Sequence, residues 1–159
     1  MGRRQFKGSG VQRGVAMVEF AITLPLLLLL LLGIGEFGRM LYQYNSLLQA
    51  SRDAGRYVAA KAWNRALGTI DLTSDPQLVP RTRNIAVYGV PAVQSGKEVV
   101  PGLTTGNVQV TVAPDTTDHV QVSITYTFRP VIGEAIPALF GSAIALGIPL
   151  RSTVVMRAL

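Results

Sequence analysis

The chain has 159 residues, no cysteine, 48% hydrophobic residues and a formal net charge of +6. The absence of thiols excludes a disulfide framework and thiolate metal ligation. The charge gives no case for a nucleic-acid partner. Arg3, Arg4, Lys7 and Arg13 supply +4, and the remaining 11 basic against 9 acidic residues leave only +2 for residues 15–159.

In chain order, residues 1–14 form a basic leader without acids, and 15–35 an apolar segment of 21 residues whose only charge is Glu19. At a helical rise of about 1.5 Å per residue that segment reaches roughly 31 Å, the thickness of a bilayer's hydrocarbon core. Basic residues gathered on its N-terminal side place the N-terminus in the cytoplasm and the rest of the chain outside, as a single-pass protein. Pro25 removes one hydrogen bond inside the spanning helix and is expected to bend it. The competing reading is a cleaved secretory signal with Gly33-Ile34-Gly35 as its small-residue site. The apolar run is longer than the roughly 7–15 residues of such a core and continues in helical register.

Residues 36–67 read as an extension of the helix beyond the membrane, since good helix formers dominate and no proline interrupts. Ala50, Ala54, Val58, Ala62 and Ala66 recur every fourth residue. That stripe of small residues either admits a second helix at close range or lies against the protein's own sheet. Gly68 is expected to close the helix, and 71–76 reads as a loop.

Residues 68–159 read as a small β-rich domain. Ile85–Tyr88 is a short strand candidate. Val108, Val110 and Val112 alternate with polar residues, as do Val120, Val122, Ile124, Tyr126 and Phe128, and the loop 114–118 between them suits a hairpin. Thr153–Met156 is a final strand candidate. One apolar and one Gln/Ser/Thr face suit an antiparallel sheet solvated on one side, too small to stand without the long helix packed on it. The fold class is therefore α+β. Residues 131–150 form a second apolar stretch, read as a loop or short helix covering the sheet or as a surface kept for a partner; a second membrane pass is the alternative.

Chemistry-bearing patterns are sparse. His119, the single histidine, begins a strand beside Asp118 and reads as a turn or strand-edge residue. Gly33-Ile34-Gly35-Glu36-Phe37-Gly38 spells a dinucleotide fingerprint, but it follows a leucine run, not a β-strand, so its context is wrong. No paired carboxylates, nucleophile elbow or phosphate loop occurs. Neither an enzyme nor a cofactor or metal is expected.

Glu19 remains. A carboxylate at the edge of an apolar span needs a partner or a task, unless it lies at headgroup level and snorkels. Gly14-Val15-Ala16-Met17-Val18-Glu19-Phe20 resembles a type IV prepilin processing site. With Leu24-Pro25-Leu26-Leu27, Gly33 to Arg39, Val122 to Tyr126 with Pro130, Leu139-Phe140-Gly141 and Ser152 to Arg157, the chain resembles the TadE-like pseudopilins of tight-adherence (Flp) pilus systems. The typical Flp pilin is very short and nearly all helix, so a 159-residue chain with a β-rich tail looks like an accessory or minor member.

The resemblance implies cleavage between Gly14 and Val15 by a prepilin peptidase. It also implies partners among other pilin or pseudopilin subunits and the inner-membrane assembly platform, and a place in the bacterial inner membrane with the C-terminal domain periplasmic or in the pilus. Under it, the Glu19 carboxylate pairs with the freed Val15 amine of a neighbouring subunit and sets axial register. The alternative of another class is a signal-anchored envelope module whose β-rich domain binds a ligand or partner; a mere tether needs neither Gly14 nor Glu19.

Overall fold

The computed structural model describes the backbone of residues 10–114, 116–131, 135–136, 144–145 and 147–158, and side chains from Gly14 on outside 135–136 and 144–145. The chain forms two compact units that divide between Gly38 and Arg39. Residues 1–9 of the expected leader over 1–14 and most of the apolar stretch 131–150 lie outside the described residues.

The first unit is the leading part of α1 (Gly10–Ala59). It contains an apolar window of mean hydropathy 2.5, none of it buried within the protein. Leucine has high helix propensity, and a run of it in continuous register needs no tertiary partner to specify a helix in an apolar medium. The helix passes unbroken through Pro25, whose nitrogen has no hydrogen to give the carbonyl of Ala21.

The second unit begins at Arg39 with the rest of α1. The helix ends at Ala59, not near residue 67 as the composition predicts. Trp63–Asn64 (β1) instead pairs antiparallel with Thr69–Ile70 (β2). The turn between them is set locally: Asn64 Oδ1 accepts from the backbone N–H groups of Ala66 and Leu67, and Gly68 takes φ +65°. Asn favours such local side-chain hydrogen bonds, and glycine enters the left-handed region without steric cost. Gly68 therefore shapes a hairpin turn and does not close the helix.

Helix α2 (Leu78–Tyr88) follows. It replaces the strand expected at Ile85–Tyr88. Leu78, Thr82, Ile85 and Ala86 are buried on one face at helical spacing, and Gly89 caps the helix in the left-handed conformation at φ +73°. After a short 3-10 turn at Thr105–Asn107 come β3 (Val108–Val112), β4 (His119–Thr127), the two-residue pair β5 (Ala135–Ile136) and β6 (Ile144–Ala145), and β7 (Pro149–Arg157). The main sheet is antiparallel in the order β3-β4-β7. Val110 faces Val122, Val122 faces Val154, and Thr127 faces Pro149. The strands predicted from alternation are present, β7 longer than expected because it starts at Pro149.

The alternation sorts the sheet's faces. Val108, Val110, Val120, Val122, Ile124 and Tyr126 point into a core shared with Leu47, Ala50, Ala54 and Val58 of α1 and with Leu78, Ile85 and Ala86 of α2. Gln109, Thr111, Thr125 and Thr127 face solvent. Each large aliphatic side chain taken fully out of water contributes roughly 1.5–3 kcal/mol. The α+β reading, a long N-terminal helix with a small antiparallel sheet, describes the molecule.

Candidate functional site

The sequence points to the Gly14–Glu19 junction, which lies in the first turns of α1. Gly14, Val15 and Glu19 are all exposed. No atom lies within 4 Å of where a Cβ on Gly14 would sit, and its backbone is helical. Nothing in the described structure therefore requires glycine there, and alanine would favour the helix by about 1 kcal/mol. Val15 and Glu19 stand four positions apart, on one helix face. Glu19 has no ion-pair partner among the described residues. Gly33, Gly35 and Gly38 on the same helix are likewise surrounded by empty space.

The small-residue stripe meets a different fate. Ala50, Ala54 and Val58 are buried in the domain's own core, so this face of α1 serves the protein's own sheet. Ala62 is buried too, but beyond the helix end, where its carbonyl accepts from the N–H of Asp71. Ala66 lies exposed in the β1–β2 turn and belongs to no helical stripe. At Gly55 the sheet is close: a Cβ there would stand 3.3 Å from Met156 Sδ and 3.4 Å from Val154 Cγ1.

Two contacts that no sequence pattern announces hold α1 to the sheet. Ser51 and Ser152 meet through their hydroxyls at 2.7 Å. Arg39 donates to the carbonyl of Arg129 at 2.5 Å, and its guanidinium lies 4.8 Å from the centre of the Phe128 ring. Neither a serine pair 101 residues apart nor a cation over a distant ring leaves a local signature.

His119 opens β4, and its Nδ1 is 2.7 Å from Asp118 Oδ1, while Arg157 Nε reaches Asp118 Oδ2 at 3.0 Å. The hydrogen bond with His119, aided by the charges of His119 and Arg157, lowers the Asp118 carboxyl below its ordinary value. Asp71 accepts from the hydroxyl and N–H of both Ser74 and Thr73. These bonds, the Ser74 hydroxyl foremost, hold its carboxyl far below the usual carboxylate range. Both arrangements are explained as local structure: one ties the ends of β4 and β7, the other builds the loop before α2. Among the described residues no three His, Asp or Glu side chains gather as metal ligands would.

The match to known families falls on the exposed helix. Residues 14–56 match the family model described as TadE-like protein. No curated protein matches the chain, and no solved structure does. The matched span starts at the Gly14 junction, takes in the whole apolar run and ends three residues before the end of α1 at Ala59: over residues 14–56 this chain is similar to TadE-like proteins.

Proposed function

We propose that this protein is a non-enzymatic, pseudopilin-like component in the assembly of a Tad/Flp type IV pilus. The apolar half of α1 anchors it in the inner membrane, with the leader in the cytoplasm and the folded domain on the periplasmic side. The observation that carries this reading is a single helix with two different solvents. Its leading part carries an apolar window that is unburied, and from Leu47 on it is the spine of a packed domain. A helix apolar all round and unburied needs lipid, or other helices within lipid.

Gly14 and Glu19 give that helix a task beyond tethering. A peptidase cutting after Gly14 frees the amine of Val15, with an ordinary pKa of about 7.7–8.0. The charged amine of one subunit then compensates the Glu19 carboxylate of another. An ionised carboxylate left unpaired in an apolar assembly costs several kcal/mol. One charge pair per subunit thus sets the axial register of neighbours that otherwise offer only featureless leucine surface. Prepilin peptidase, other pilin or pseudopilin subunits and the membrane platform are the partners under this reading.

Complementation tests it. A strain lacking this protein should lose surface pili, and expression of the wild-type chain should restore them. Normal piliation without the protein would overturn the proposal.

A further inference from the structure

We infer that the folded domain carries a second lipid contact: its α1-entry end lies on the bilayer surface. This rests on the membrane-anchored reading above and adds to it a defined, membrane-facing end of the domain.

Contacts within the domain fix which end this is. Arg39, its first residue, touches Phe128 and Arg129 just beyond the end of β4. Further along α1, Ser51 meets Ser152 and Gly55 meets Met156. Helix and strand β7 therefore run the same way, and one end of the domain gathers Arg39, Arg129 and the start of β7. The backbone there is closed by Phe128, whose N–H donates to the carbonyl of Ile148 at 2.9 Å. The opposite end holds Asp118, His119 and Arg157. From residue 39 to residue 55 the helix advances about 24 Å, so the two ends experience different surroundings.

The entry end exposes several large apolar side chains. Val131 is 79% exposed, Tyr42 69%, Leu41 45% and Ile148 44%. Leu41 and Tyr42 are within about one helical turn of Arg39. Exposed side chains of this size on one end of a small domain call for a non-aqueous neighbour. Chain continuity names it. The apolar run of α1 ends at Gly38, so residues 39–42 emerge at the lipid boundary if the run is in the membrane. Tyrosine with aliphatic neighbours and arginine suits the interfacial layer, where an apolar body meets acyl chains and a polar tip meets headgroups. Arg129 and Arg151 are exposed at the same end and complement lipid phosphates.

The chain has no cysteine, so single-cysteine spin labels can be placed cleanly on the full-length protein in phosphatidylethanolamine–phosphatidylglycerol vesicles. Labels at Val131→Cys, Ile148→Cys and Tyr42→Cys are compared with Leu67→Cys and Val155→Cys, both exposed in the wild type but away from the entry end, and with Leu28→Cys in the apolar run. Collisional relaxation by oxygen and by a water-soluble nickel chelate reads immersion. The expected result is a shift toward oxygen at 131, 148 and 42, with 67 and 155 fully open to the chelate. Chelate access at 131 and 148 equal to that at 67, with Leu28 still immersed, overturns the lipid contact and leaves the anchor standing. Spin–spin broadening with protection from both reagents at 131 and 148 means a second copy covers this end and likewise overturns it. A label at Leu28 open to the chelate would sink the anchor reading itself.

Discussion

The hydroxyl oxygens of Ser51 on α1 and Ser152 on β7 lie 2.7 Å apart in a buried seam. Ser51 donates to the carbonyl of Leu48 at 2.9 Å, so the shared proton comes from Ser152. Removing either partner has a different cost. Ser152→Ala deletes one bond and should lower stability by about 1 kcal/mol, whereas Ser51→Ala strands a buried hydroxyl and should lower it by about 1–3 kcal/mol. The double variant should cost less than the sum of the two. Thermal unfolding of the full chain in detergent, followed by circular dichroism, measures this cycle; strict additivity would mean the two hydroxyls do not act together.

At Gly55 the backbone of α1 lies against side chains of β7. With Met156 Sδ 3.3 Å from an added Cβ, Gly55→Ala forces the flexible methionine to shift slightly while gaining about 1 kcal/mol of helix propensity. The two effects nearly cancel, and stability should stay within about 1 kcal/mol of wild type. Gly55→Leu cannot be absorbed and should cost about 1–3 kcal/mol by overpacking. The same unfolding assay ranks the three proteins.

Gln43 is buried on α1, and its Oε1 has no hydrogen-bond partner among the described residues. Gln43→Met keeps length and volume while removing the stranded acceptor. The variant should be about 1 kcal/mol more stable than wild type. A lower melting temperature would show that the amide has a partner in solution, such as a bound water.

Asp71 and Asp118 make stability fall in acid. Hydrogen bonds from Ser74 and Thr73 lower the folded-state pKa of Asp71, and those with His119 lower that of Asp118. A depressed folded pKa contributes stability above the unfolded value of about 3.9, and that stability disappears as pH falls through the folded value. The Asp71→Asn variant should therefore melt below wild type at pH 7, and the gap should narrow as pH drops from about 4 toward 2. A gap that widened on acidification would contradict the assignment.

Glu19 is exposed and makes no ion pair among the described residues, so Glu19→Ala should leave the unfolding of the domain unchanged. Its effect should appear only in assembly, as loss of pili in complementation, with Glu19→Asp partly restoring them. Full piliation by Glu19→Ala would remove the register-setting pair from the mechanism.

Elements whose period matched their surroundings were readable from the chain. β3 and β4 alternate in sequence because one face is core and the other water, with Val112 at the end of β3 the exposed exception, and the apolar run of α1 needs only length and composition to be recognised. Two other elements were hidden by local competition. The stretch after Ala59 is rich in helix formers, yet the Asn64 side chain and the left-handed Gly68 turn it into a hairpin. Ile85-Ala86-Val87-Tyr88 reads as a strand because three of its four residues are β-branched or aromatic. Including Leu78 and Thr82 restores the helical period, and Gly89 marks its end. At the candidate site, the Gly14–Glu19 spacing was legible. The role of the stripe at Ala50, Ala54 and Val58 was not, because spacing alone cannot tell a foreign helix from the protein's own sheet.

The most direct measurement is the mass of the mature chain, taken from its native membrane in strains with and without prepilin peptidase. The account predicts an N-terminus at Val15 when the peptidase is present and at Met1 or Gly2 when it is absent. A start at Met1 or Gly2 in both strains would contradict processing after Gly14, and with it the Val15 amine as the partner of Glu19.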